Sequence, residues 1–357
     1  MTSRRRFLAT LAATAALPAA GWAEVGSPDY LAAAREPDGT FALFGLTAQG
    51  QDTLRIPLPA RGHAAAGHPV RAQAVAFARR PGTYALVIDC ARGTVLHRLA
   101  APEGHHFSGH GTYSLDATTL YTAEIEDATG IGQIGFWDVD SGYARSGWIA
   151  SGGIGPHEIL RLPGREVIVV ANGGIVVAPD DDRTKLNIDT MRPSLSYLAP
   201  TGGVIDRVEL DSDLRKNSIR HLAIADDGTV ALAMQWEGDG DIMPPLLGLH
   251  RMGHKPVLCD LPGPVASRVQ GYAGSVAASA QGQSVAITCP RGGLAALFDG
   301  NGAYIGKIER PDICGVSPAE IGFTATDGLG GLSRIADNRL QPLRATERAW
   351  DNHLVRI

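Results

Sequence analysis

Gly109-His110-Gly111-Thr112-Tyr113-Ser114-Leu115, then Asp116-Ala117, then Leu120-Tyr121-Thr122-Ala123: a short β-rich run, a turn dipeptide and a second such run make a hairpin headed by a histidine. The same heading recurs at Pro156-His157-Glu158-Ile159-Leu160-Arg161-Leu162, followed by Pro163-Gly164 and Val167-Ile168-Val169-Val170-Ala171. It recurs again at Arg220-His221-Leu222-Ala223-Ile224-Ala225, followed by Asp227-Gly228 and Val230-Ala231-Leu232-Ala233, and at Asn352-His353-Leu354-Val355-Arg356-Ile357. Two further hairpins lack the histidine. One runs from Ala74 to Phe77 and, after Pro81-Gly82, from Tyr84 to Ile88; the other runs from Ser275 to Ala278 and, after Gln281-Gly282, from Ser284 to Ile287.

A third strand follows some hairpins, as in Gly135-Phe136-Trp137-Asp138-Val139-Asp140 before Ser141-Gly142, and a fourth leads back through Ala144-Arg145-Ser146-Gly147-Trp148-Ile149. Four antiparallel strands per unit is the pattern of a propeller blade. With His68, His110, His157, His221, Tyr272 and Cys314 as approximate unit starts, the intervals are 42, 47, 64, 51 and 42 residues, against roughly 40 to 50 for blade repeats. The one long interval points to an inserted loop at about residues 172–196. The strands near Phe41 to Leu58 and the lone final strand at Asn352 to Ile357 complete a seventh unit between them. The expected fold is therefore all-β, a seven-bladed β-propeller closed by pairing of N- and C-terminal strands. An α/β fold would need amphipathic helices between the strands, and a sandwich would not repeat over some 300 residues.

Ser3-Arg4-Arg5-Arg6-Phe7-Leu8, the apolar stretch to Ala20 and the small-residue Gly21-Trp22-Ala23 read as a twin-arginine signal peptide over residues 1–23, leaving residues 24–357 as the propeller domain. Export to the periplasm, with no stable membrane span once the leader is removed, is the expectation. The net charge of −5 and the lack of any later basic run exclude nucleic acid as a partner. Cys90, Cys259, Cys289 and Cys314 form no C-x-x-C pair and no haem-attachment motif, which excludes c-type haem and leaves buried thiols or disulfides open.

In a propeller the innermost strands line a central channel, so residues opening those strands converge on one mouth. His110, His157, His221 and His353 hold comparable places, and with Glu158 they form the expected metal set, suited to iron, copper or zinc. The same imidazoles also suit hydrogen bonds to carbonyls between blades, or acid–base work. Of His105 and His106, at most one can face the same mouth, because neighbours on an extended chain point opposite ways; His68 and Arg71 have poorer register. Arg183, Lys185 and Asn187 in the inserted loop, with Arg220 and Arg291, are the expected holders of an acidic ligand or a chelated metal. The loop's aspartates lack the glycine and the terminal glutamate of an EF-hand. No nucleophile elbow, phosphate loop, dinucleotide fingerprint or His-Glu-x-x-His motif occurs.

Over Gly109 to Thr122, Gly155-Pro156-His157-Glu158, Ala171-Asn172-Gly173-Gly174-Ile175, Arg183 to Met191, Ser218 to Ala223 and Pro290-Arg291-Gly292-Gly293, the chain resembles an uncharacterised family (a domain of unknown function) of twin-arginine-exported propellers. Members are found beside imelysin-type iron-uptake proteins and di-haem oxidoreductases. The resemblance implies a setting of iron acquisition or redox, with periplasmic iron-uptake proteins as partners, and implies no reaction. Three functions stay open: a metal-handling propeller, an enzyme of lactonase or quinoprotein-like type, and an interaction scaffold.

Overall fold

The computed structural model describes residues 20–79, 82–178 and 181–357, without the side chains of residues 181–183. Its strands are apolar on both faces, and that decides how they assemble. In Tyr30–Arg35, Leu31 and Ala33 pack with Ala74, Tyr84 and Ile88, while Tyr30, Ala32 and Ala34 turn the other way, onto Cys314 and Leu332. A sheet that buries both faces needs a neighbour on each side. Among the described residues, seven four-stranded antiparallel sheets meet this need by standing in a ring, and each of the seven apolar clusters fills one junction between adjacent sheets. The outermost strands have solvent on one side and show it, as in Thr94–Leu99 and Val204–Glu209, where most residues are exposed.

The blades span residues 62–99, 105–154, 156–209, 217–259, 275–309 and 313–345, numbered one to six. The seventh joins the ends: Ala349–Arg356 pairs antiparallel with Tyr30–Arg35, Tyr30 facing Arg356, and Phe41–Leu46 and Asp52–Leu58 complete the sheet. The innermost strands, Gly62–Gly67, His105–Tyr113, Pro156–Arg161, Asn217–Ile224, Ser275–Ala278, Ile313–Pro318 and Ala349–Arg356, each touch the next around the axis, and the last touches the first. The seven blades and the closure by both ends agree with the sequence reading.

The inserted segment of blade three lies between strands Ile168–Asn172 and Ser194–Leu198 and holds a small hairpin, Val177–Ala178 with Asp181–Lys185. All four cysteines are buried free thiols. The expected leader falls, to residue 19, outside the described residues, as do Pro81 of the expected turn and Pro179-Asp180 of the loop. Among the described residues no helix is long and apolar enough to cross a membrane.

The closing strand is anchored by Trp350, 5% exposed, with its ring edge-on to Phe44 at 5.6 Å between centroids. Trp350→Ala is expected to remove about 3–5 kcal/mol of stability, read as a lower urea midpoint at unchanged slope. Trp148, 60% exposed on an outer strand, is the control: Trp148→Ala should shift stability by less than about 0.5 kcal/mol.

Candidate functional site

The innermost strands do not pair evenly. Their registers with the second strands break at Gly62/Ala65, Phe107/Gly111, Pro156/Ile159, Ile219/His221 and Ile313/Val316, and between Leu354 and Trp350 on the closing strand. Such bulges re-aim side chains. His63, His110, His157 and His353 fall inside these breaks and His221 ends one, so five consecutive blades, seven and one to four, each direct an imidazole to the axis. Blade five keeps an unbroken pairing, and blade six carries Cys314-Gly315 at its break. Gly109, at φ +98°, permits the approach of two of these strands: a Cβ there would lie 2.5 Å from Cδ2 of His63.

The five rings form one buried cluster. Centroid separations between rings in contact run from 4.5 Å for His63 and His353 to 6.1 Å for His110 and His221. Two trios, His63-His110-His157 and His110-His221-His353, each bring one ligand nitrogen per residue within 4.8 Å of the others, and His110 belongs to both. Nδ1 of His63, Nε2 of His110, Nδ1 of His221 and Nε2 of His353 are buried without a hydrogen-bond partner. Among the described residues none of the five rings donates to a main-chain carbonyl, so the structural use of such histidines between blades is not seen.

Two carboxylates lie behind the rings. Glu158 wedges between His110 and His221, with Oε1 3.6 Å from Nδ1 of His110 and Oε2 3.4 Å from Nδ1 of His221, and it accepts the Leu222 amide at 2.9 Å. Asp351 accepts Nε of Arg61 at 2.6 Å and Nη1 of Arg79 at 3.4 Å, with His63 Nδ1 3.9 Å away. Above the rings lies a cavity of about 360 Å³ reached by His63, His157, His221, Arg61, Arg79 and Arg220. A second, of about 220 Å³, runs from His157 and Arg220 under Ile175 and Val177 of the insertion.

The expected set His110, His157, Glu158, His221 and His353 is thus brought together at one mouth. His63 joins it although the sequence reading took His68 for that blade. His68 instead accepts the amides of Val70 and Arg71 on Nδ1 and packs on Tyr113, and Arg71 pairs with Asp140. The signal for His63 was available: Gly62-His63 and Gly109-His110 repeat a glycine–histidine pair, and His63, His110 and His157 are spaced by 47 residues twice. His106 bonds Asp127 at 2.6 Å and borders the second cavity, whereas His105 bonds the carbonyl of Glu103. Of the expected ligand holders, Arg220 borders both cavities; Lys185 pairs with Glu237 on blade four, and Arg291 stacks over Tyr272 at 4.3 Å, both beside a third cavity that Arg220 also reaches. Asn187 accepts the amide of Val176 and donates to the carbonyl of Gly174, pinning the base of the insertion. Arg183 belongs to the strand Asp181–Lys185, and its side chain is outside the described residues.

Residues 56–357, which include all five histidines, match the family described as "Protein of unknown function (DUF1513)". No curated protein matches the chain. Hydrazine synthase of Kuenenia stuttgartiensis is similar in structure, with a TM-score of 0.62 at 13% identity over 90% of this chain and 96% of that one. At that identity the likeness speaks for the fold alone.

Burial holds the pKa of His110, His157, His221 and His353 well below the usual histidine value, helped in each case by neighbouring rings or guanidinium groups; burial also lowers His63, against the pull of Asp351. The rings are therefore neutral near pH 7. Burial pushes Glu158 up to about 7, against the Leu222 amide. Burial would also raise Asp351, but His63, Arg61 and Arg79 overcome it and hold the carboxyl below its usual range. The histidines, with folded values below the unfolded value of about 6.5, contribute stability that is present above that pH and lost on acidification. Glu158, raised on folding, works in the opposite sense and offsets about one proton. With each unmatched proton worth about 1.4 kcal/mol per pH unit, the metal-free protein is expected to lose several kcal/mol between pH 6.5 and 5, measured by urea unfolding at a series of pH values. A flat profile would contradict the neutral rings.

Proposed function

We propose that this chain, which belongs to the family described as protein of unknown function DUF1513, is a propeller whose five-histidine centre binds one divalent transition-metal ion. The observation that carries the reading is the pair of imidazole trios sharing His110, with Nε2 of His110 and Nε2 of His353 buried and without a partner. An unpartnered buried polar group costs about 1–3 kcal/mol, and neutral imidazoles turned on one another cannot all find donors among themselves. A cation supplies the missing partner for several of them at once. An all-nitrogen set of neutral ligands suits copper, zinc or ferrous iron, with affinity following copper over zinc over iron. Glu158 and Asp351 then serve as outer carboxylates that orient the rings, Glu158 holding Nδ1 of His110 and leaving its Nε2 for the ion.

The setting belongs to the same proposal. Supported by the leader in residues 1–23 and by the sequence resemblance, the protein acts in the periplasm after twin-arginine export, as an accessory to iron acquisition. Arg4→Lys with Arg5→Lys is expected to keep it in the cytoplasmic fraction; unchanged export would remove this part of the reading while leaving the ion site.

The ion site is tested on chelator-stripped protein given copper(II), zinc(II) or iron(II) and desalted before elemental analysis. About one metal per chain is expected. His110→Ala, which breaks both trios, should abolish retention, while His254→Ala, on the exposed surface, should not. Retention that survives His110→Ala in a folded protein, or none in the wild type, would sink the proposal.

A further inference from the structure

The cavity above the rings carries an excess of positive charge. Arg61, just ahead of blade one, and Arg79 within it border the cavity, and Arg220 reaches it from blade four, three blades away around the ring. Asp351 stands against Arg61 and Arg79, Asp312 also faces Arg61, and Glu158 lies behind the histidines. The rings add no charge of their own. A divalent ion held by neutral imidazoles adds two positive charges beside Arg61 and Arg79, so the mouth stays net positive even with Asp351, Asp312 and Glu158 all counted as ionised. Positive charge gathered around one cavity favours an anion within it.

The lining is built to receive one. Each guanidinium has five N–H donors, and Arg61 and Arg79 each spend a single hydrogen bond, on Asp351. Their side chains stay 50% and 38% exposed, so the rest of each donor edge is open to the cavity. Planar guanidinium matches carboxylate in paired, charge-assisted hydrogen bonds. Asn352, Gln235 and Tyr272 complete the wall with neutral polar groups, and the space of about 360 Å³ limits the guest to a small molecule.

Resting on the metal reading above, we propose that this cavity binds a small di- or tricarboxylate, held by Arg61, Arg79 and Arg220 at one end and lending oxygen ligands to the histidine-bound ion at the other. Ion and anion then occupy the mouth as one unit, and the protein's cargo is a carboxylate chelate of the metal.

The test is calorimetric titration of zinc-loaded and metal-free protein with citrate, malonate and inorganic phosphate, with elemental analysis of the protein afterwards. Citrate or malonate is expected to bind the zinc-loaded form at least tenfold more tightly than the metal-free form, with zinc retained. Arg79→Gln and Arg220→Lys are expected to weaken that binding at least tenfold while zinc loading, measured without carboxylate, stays near one per chain. Zinc that binds while citrate and malonate do not, citrate that strips the zinc, or phosphate binding as tightly as the carboxylates each overturns this proposal. Failure of zinc to bind at all overturns the metal reading instead. Circular dichroism melts of both variants establish that any loss occurs in folded protein.

Discussion

Closure of the ring is the constraint on which the centre depends. The strand Ala349–Arg356 pairs with Tyr30–Arg35 and touches Gly62–Gly67, and this brings His353 to within 4.5 Å of His63 between ring centroids although 290 residues separate them in the chain. The forces that close the ring act elsewhere, in seven apolar junctions between blades. The polar cluster at the axis is a passenger on that packing. It can hold unpartnered nitrogens because the surrounding layers, built from residues such as Phe77, Phe107, Tyr197 and Phe298, are fully buried and position the strands independently of the axis.

The geometry at the axis follows from interrupted pairing. A regular strand sends alternate side chains to the two faces of its sheet, into the neighbouring blades, and only its edge looks toward the channel. A histidine reaches the channel where the strand leaves its register, which is why the imidazoles coincide with the breaks. Neutral rings are the consequence of burial, helped by crowding: five bases share one buried space, and the two carboxylates nearby are engaged, one by a backbone amide and the other by arginines.

Much of this architecture was legible in the chain because blade strands have a short period, glycine turns and apolar faces that nothing else explains. Four of the five histidines were legible too, since each heads an apolar alternating run, although in the structure only His157 opens its innermost strand and His110, His221 and His353 lie in mid-strand. His63 was passed over for His68 because Gly62-His63-Ala64-Ala65-Ala66-Gly67-His68 offers two histidines at opposite ends of one short strand, and only the bulge decides which of them turns inward. Asp351, Arg61 and Arg79 had no local signature. Their meaning comes from one carboxylate on blade seven receiving two guanidinium groups from blade one and the residue just ahead of it, a contact that sequence spacing does not encode. Asn187 had the right chemistry for a ligand holder, yet turns inward to tie its own loop, as asparagine often does near turns.

The assignment of one histidine to the final strand has a bearing on biosynthesis. A chain made from its N-terminus carries His63, His110, His157 and His221 long before His353 and Asp351 exist, and without the last strand the inner edge of Tyr30–Arg35 has no partner. The complete five-ring cluster is therefore a product of finished folding rather than of local segments, so a nascent or truncated polypeptide offers loose imidazoles and no centre. The last stretch of chain to be made is the one that brings the fifth ring.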